Sequence, residues 1–147
     1  MRRIALVPAT LVLAAMLAAP AAAEMLSKTY EFKSGVTLEV GATTDDGLRI
    51  DSVRIELPAA SEGRLLRTGG LLRAQVAISN TSIRSRKVGL AMALFDAGGR
   101  LLGVASGGTK LWPIKSDRQR TYDLIFEHVN DEASAARTFQ ISVESKN

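Results

Sequence analysis

The stretch that most limits what this chain can fold into runs from Leu72 to Leu102, where apolar residues recur at every second position. Leu72, Ala74, Val76 and Ile78 alternate with Arg73, Gln75, Ala77 and Ser79, the pattern of a strand with one face against a core. The next run repeats it with Val88, Leu90, Met92 and Leu94. Its opposite face, Gly89, Ala91, Ala93 and Phe95, is also apolar or small, which suits a central strand. Asp96 to Arg100 then offers an Asp to open a turn and glycines for positive φ, and Leu101 and Leu102 begin a return strand. The expectation is three consecutive antiparallel strands.

An aliphatic strand ending in Asn80-Thr81-Ser82, a polar loop, and a strand closing in Met92-Ala93-Leu94-Phe95-Asp96 before Gly98-Gly99 resembles the bacterial immunoglobulin-like domains of the FxLyD type. Met92 stands where that pattern has Phe, and Phe95 where it has Tyr. The resemblance spans about half of the chain that follows the leader. It implies a β-sandwich outside the cytoplasm, used as an accessory or binding module, and it carries over no functional site.

Met1 to Ala23 has the grammar of a secretory signal peptide: Arg2 and Arg3, an apolar run from Ile4 to Ala19, and small residues at Ala21, Ala22 and Ala23 before Glu24. Pro8 and Pro20 flank an alanine-rich run rather than a long apolar span, so no membrane span is expected after its removal. Export to the periplasm or beyond follows as the expected location. The 124 residues left from 147 are read as one domain, large enough to bury about two thirds of its unfolded surface. The chain has no cysteine, which excludes a disulfide scaffold and thiol chemistry.

The formal charge of +4 falls by two once Arg2 and Arg3 leave, so the basic balance is no argument for nucleic acid. The remaining charge is uneven: acids prevail from Glu24 to Glu62, and Lys and Arg prevail from Gly63 to Asn147. Within the second part Arg84, Arg86 and Lys87 form a basic loop suited to an anionic partner, with Lys115, Arg118 and Arg120 as further members.

Along the rest of the chain, Tyr30 and Phe32, a Ser34-Gly35 turn, and Val36, Leu38 and Val40 read as a hairpin. Thr43 to Gly47 is a turn cluster. From Leu48 to Leu57 the buried parity switches between Ile50 and Val53, as a β-bulge requires. Leu65 and Leu66, in the loop from Ala59 to Gly70, are expected to tuck under the sandwich. Trp112, the one tryptophan, is read as a lid on one end of the core, and Leu111 with Pro113 resembles a crossing seen in immunoglobulin-like sandwiches. Tyr122, Leu124 and Phe126 share one strand face, Asn130 to Arg137 reads as a turn or two of helix, and Phe139, Ile141 and Val143 face inward on a last strand. The sum is an all-β immunoglobulin-like antiparallel sandwich of seven or eight strands with one short helical turn.

Catalytic constellations find little support. His128 has no Gly-x-Ser-x-Gly partner, the paired glycines precede no helix, and Asp45, Asp46 and Asp51 lack calcium-loop spacing. Asp51 and Glu56 are a carboxylate pair without a marked cleft. No metal and no cofactor are expected, and the protein is read as a non-enzyme. The function expected is a binding or adaptor module for an envelope protein or an anionic surface component, engaged through a sheet edge or through the basic loop, with Arg84, Arg86, Lys87 and Trp112 as the candidate contact residues. The alternative is a glycan- or small-ligand-binding sandwich centred on Trp112. Asn80-Thr81-Ser82 also matches a glycosylation acceptor, although an Asn that ties a loop at a strand end is the simpler account.

Overall fold

The computed structural model describes residues 25–57, 71–127, 129 and 132–146; the leader, Leu65, Leu66 and His128 lie outside the described residues. Eight strands form two antiparallel four-stranded sheets packed as a sandwich. They are β1 (Met25–Glu31), β2 (Thr37–Thr43), β3 (Leu48–Glu56), β4 (Leu72–Asn80), β5 (Lys87–Phe95), β6 (Leu101–Gly108), β7 (Arg118–Phe126) and β8 (Thr138–Lys146). One sheet runs β1-β8-β5-β6 and the other β2-β3-β4-β7.

Alternation decides the core. Leu72, Ala74, Val76 and Ile78 on β4 face Val88, Leu90, Met92 and Leu94 on β5 across the sandwich, and all are buried. Leu124 and Phe126 on β7 and Phe139, Ile141 and Val143 on β8 complete the layer. Each of these side chains other than Ala74 adds roughly 1.5–3 kcal/mol relative to exposure, enough in sum to fix which face of each strand turns inward. The parity switch in β3 is a bulge: Ile50 lies opposite Ile78 and Ser52 opposite Ala77, so Asp51 is the extra residue. Leu48 and Ile50 before it and Val53 and Ile55 after it all reach the core.

Two expected pairings are replaced by crossings. β4, β5 and β6 are not three consecutive neighbours: β5 and β6 form the hairpin, whereas β4 lies in the other sheet between β3 and β7. Likewise β1 and β2 do not form a hairpin. The Phe32 N–H donates to the Arg137 carbonyl beside β8, while the Gly35 N–H donates to Ile55 on β3, both at 2.8 Å, so the chain changes sheets at Lys33 and Ser34. Period-two patterning says which side chains face a core but not which of two sheets a strand joins. A short loop crosses the gap of about 10 Å between sheets as readily as it reverses within one.

The β5–β6 turn is as expected, with the Asp96 carboxylate accepting the N–H groups of Gly98 at 2.8 Å and Arg100 at 2.9 Å, and Gly99 at φ 78°. Among the described residues the helical signal after β7 yields a 3-10 turn, Ala133–Ala135, without a side-chain cap; Asn130 and Asp131 lie outside the described residues.

β6 is drawn tightly against its neighbours at its C-terminal end. Gly108 sits at φ 132°, and a Cβ there would lie 2.1 Å from the Val88 carbonyl oxygen, which already accepts the Thr109 N–H at 2.8 Å. Neither the backbone nor the dihedral accommodates a side chain. Gly108→Ala is therefore expected to cost about 2–4 kcal/mol, read as a lowered urea midpoint. Gly35→Ala, where nothing lies within 4 Å, is expected to cost clearly less. Equal losses would mean that the close approach at Gly108 does not matter.

Candidate functional site

One end of the sandwich gathers the β2–β3 turn, the β4–β5 loop and the β6–β7 segment. Leu48 pairs with Asn80, Asn80 with Arg118, and Gly89 with Gly108, which brings the three connections together. Asn80, at the end of β4, is fully buried. Its amide nitrogen donates to the carbonyls of Arg84 at 2.7 Å and Ile114 at 2.9 Å. Its amide oxygen accepts the Ser82 N–H at 3.0 Å and lies 2.7 Å from the Ser82 hydroxyl. Its backbone carbonyl accepts the Asp117 N–H at 2.8 Å. Asn80 thus ties the loops on either side of the site, the role expected from its place at a strand end.

The β6–β7 segment is pinned to the start of β5 at two points. Ile114 and Arg86 exchange backbone hydrogen bonds at 2.8 and 2.9 Å. Thr109 donates its N–H to the Val88 carbonyl at 2.8 Å, and its hydroxyl accepts the Val88 N–H at 3.0 Å. Between these pins β5 has one residue, Lys87, and the facing segment has four, Lys110 to Pro113. The surplus residues bow outward, so Leu111 is 79% exposed and Trp112 73% exposed. The expectation that Trp112 caps the core is overturned: Ile114, at 2% exposure, fills that place. Leu111 likewise points away from the core, so the expected Leu111–Pro113 crossing is anchored by Ile114 instead.

The Arg120 guanidinium donates to the Trp112 carbonyl at 2.8 Å, holding the bowed segment against β7. A groove of about 410 Å³ lies here, lined by Trp112, Pro113, Ile114, Lys115, Arg118 and Arg120 among others. Aromatic surface and three cations therefore share one concavity. Ile83, 92% exposed in the β4–β5 loop, adds apolar surface at the same end.

The basic loop divides by role. Arg84 and Lys87 are exposed, and among the described residues neither joins an ion pair. Arg86 instead turns inward: its guanidinium lies 3.6 Å from the Asp46 carboxylate with 14% of its side chain exposed, and it also reaches the Ser82 hydroxyl. It fastens the β2–β3 turn to the β4–β5 loop. Asp46 belongs to that turn, where the Thr44 hydroxyl donates to its carboxylate. Burial works against ionisation of Asp46, but the Thr44 hydroxyl, the Arg86 charge and the Leu48 N–H outweigh it and hold its carboxyl below the ordinary range. Among the described residues no group of three or more His, Cys, Asp or Glu is placed to hold a metal ion.

The exposure of Leu111 and Ile83 escaped the sequence reading. A lone Ile in a polar loop, and a Leu-Trp-Pro run outside any alternation, were the available signals. The chain matches no protein-family model and no curated protein.

Trp112 is the one tryptophan, so its fluorescence reports this site without interference. With Lys115, Arg118 and Arg120 lining the same groove, iodide is expected to quench the native protein more strongly than caesium. Equal quenching by the two ions would remove the local positive field.

Asp46 supplies a pH prediction. Because its folded pKa is depressed, its contribution to stability is present above its unfolded pKa of about 3.9 and is lost as pH falls through the folded value. Asp46→Asn should therefore lower the urea midpoint at pH 7, and the gap from the parent should narrow at pH 3. A gap independent of pH would count against the assignment.

Proposed function

We propose that this chain is a non-catalytic, exported immunoglobulin-like module that binds an anionic face of an envelope protein through the sandwich end bearing Trp112, Arg84 and Lys87. The observation that carries the reading is the 73% exposure of Trp112 on a segment pinned at both ends and flanked by cations. A large aromatic ring held in water on a rigid support has already lost much of the freedom that binding would otherwise remove. Arginine and lysine around it add steering and specificity for an acidic partner.

The strand pairings support the immunoglobulin-like part of the proposal. In immunoglobulin domains the B strand pairs with E, and C pairs with F. Here β4, β5, β7 and β8 take the places of B, C, E and F, β6 pairs with β5 as C′ does with C, and β3 lies beside β4 as A does beside B. The departures are that among the described residues no strand lies beyond β7, where D pairs with E, that β2 lies outside β3, and that β1 fills the G position beside β8. The export part rests on the leader-like residues Met1 to Ala23.

The groove beside Trp112 favours a second reading, in which the ring stacks on a sugar of an acidic glycan and Lys115, Arg118 and Arg120 meet its charge. Crosslinked capture from the native envelope separates the two. Arg84→Glu with Lys87→Glu, and separately Trp112→Ala, are expected to reduce recovery of one protein at least tenfold; Arg86 is left intact because it holds Asp46. Loss of capture after deglycosylation of the envelope would transfer the site to the glycan. Full capture by both variants would remove this end of the sandwich from the function.

A further inference from the structure

Among the described residues β6 is an edge strand, because the order β1-β8-β5-β6 leaves it with a neighbour on one side. Exposed edges in natural sheets are normally guarded by charges, proline or bulges, since their unpaired N–H and C=O groups invite another strand. β6, with the sequence LLGVASGG, has no charged residue and no proline. Its bulge falls at Leu102, near its beginning, and leaves 103–108 in regular register with β5. Val104, near its middle, is 64% exposed. A groove of about 430 Å³ follows this edge, lined by Leu102, Val104, Ser106, Ile125, Glu127 and Val129 among others, so there is space beside the strand.

The other edges differ. β1 has Lys28 at its midpoint, so pairing with its own copy would set Lys28 against Lys28. β2 carries Glu39 and an irregular register after it, and β7 carries Arg118, Arg120 and Asp123. Like charges directly opposite one another oppose strand pairing. Among the four edges of the described strands, β6 is the one that brings no charged residue to such a seam.

We propose that β6 pairs antiparallel with β6 of a second copy about a two-fold axis at Val104, joining two four-stranded sheets into one of eight. Val104 then faces Val104 of the second copy, and Gly103 faces Ala105. The outward face beside this seam, Ala91, Ala93, Val104 and Ser106, is uncharged and made mainly of small residues. Charge complementarity favours the same orientation. Beyond the C-terminal end of β6, residues 109–118 hold Lys110, Lys115 and Arg118 against Asp117. At its other end the turn of Asp96 and Arg100 is joined by Glu127 and by Glu132, which pairs with Arg100 at 3.4 Å. Antiparallel pairing sets the basic end of each copy beside the more acidic end of the other. The interface is isologous and closed.

Sedimentation equilibrium of the full chain tests this over about 1–100 μM, a range that spans the dissociation of a micromolar dimer. The expected result is a weight-average mass that rises with concentration towards twice that of the monomer and goes no higher. Val104→Lys should give a monomer with unchanged far-UV circular dichroism, while Val104→Thr should stay dimeric. Because the parent has no cysteine, Val104→Cys should form an intermolecular disulfide on mild oxidation, since facing Cα atoms in an antiparallel pair lie about 4.5–5.5 Å apart. A monomeric parent, a Val104→Lys chain that still dimerises, growth into larger species, or a Val104→Cys chain that fails to crosslink would each overturn the proposal.

Discussion

The buried amide of Asn80 is the interaction on which the loop-bearing end of the sandwich depends. A primary amide offers two donors and one strong acceptor, and here all of them meet protein groups within 3.0 Å. Two of the partners are backbone carbonyls in different loops, Arg84 and Ile114. Those loops make the β4–β5 and β6–β7 crossings, so one side chain sets where the chain leaves each sheet. An unpaired buried carbonyl or amide costs about 1–3 kcal/mol, which gives the knot its specificity. An apolar residue there would untie the two loops from each other, leaving the Ile114 carbonyl to the Arg86 N–H and the Arg84 carbonyl to the Ser82 hydroxyl.

From that knot the surfaces acquire different characters. The outer face of the β2-β3-β4-β7 sheet is charged and cross-linked: Arg49 pairs with Asp51 at 3.1 Å, Arg54 with Glu56 at 2.7 Å, and Asp51 accepts from Ser79 and Gln119. Such pairs contribute little stability individually, but they make a solvated face that does not attract another sheet. The β1-β8-β5-β6 sheet shows Ser27, Ser142, Ala91 and Ala93 on its outer face instead, with Ser27 and Ser142 3.0 Å apart. The Asn80 end adds a third surface, aromatic and basic. Under the two proposals made above, solvation, sheet pairing and ligand contact fall on separate parts of a small domain.

Much of this was legible from residue patterns. The inward faces of β4, β5, β7 and β8, the bulge in β3, the Asp96 turn and the role of Asn80 each follow from period-two alternation or local turn chemistry. Sheet membership did not follow, because alternation is identical for a strand that folds back and one that crosses over. The site was legible as composition, Trp112 among basic residues, but its geometry was not. The bowing of Lys110 to Pro113 results from a mismatch of one residue against four between two hydrogen-bonded pins, and those pins join residues over twenty positions apart. The inward turn of Arg86 was equally hidden, since Asp46 approaches it from another hairpin.

The same asparagine is the acceptor of an Asn-Thr-Ser sequon, which bears on how the protein can be produced. Oligosaccharide is transferred in eukaryotic secretion to the side-chain nitrogen of such an asparagine. In the folded chain that nitrogen is buried and points at two carbonyl oxygens. A sugar attached during translocation would occupy the place of the Ile114 strap and prevent the knot from closing. Secretion through a glycosylating pathway would thus divide the product into a folded, unmodified fraction and a modified one unable to reach this structure, whereas a bacterial host would not face that choice.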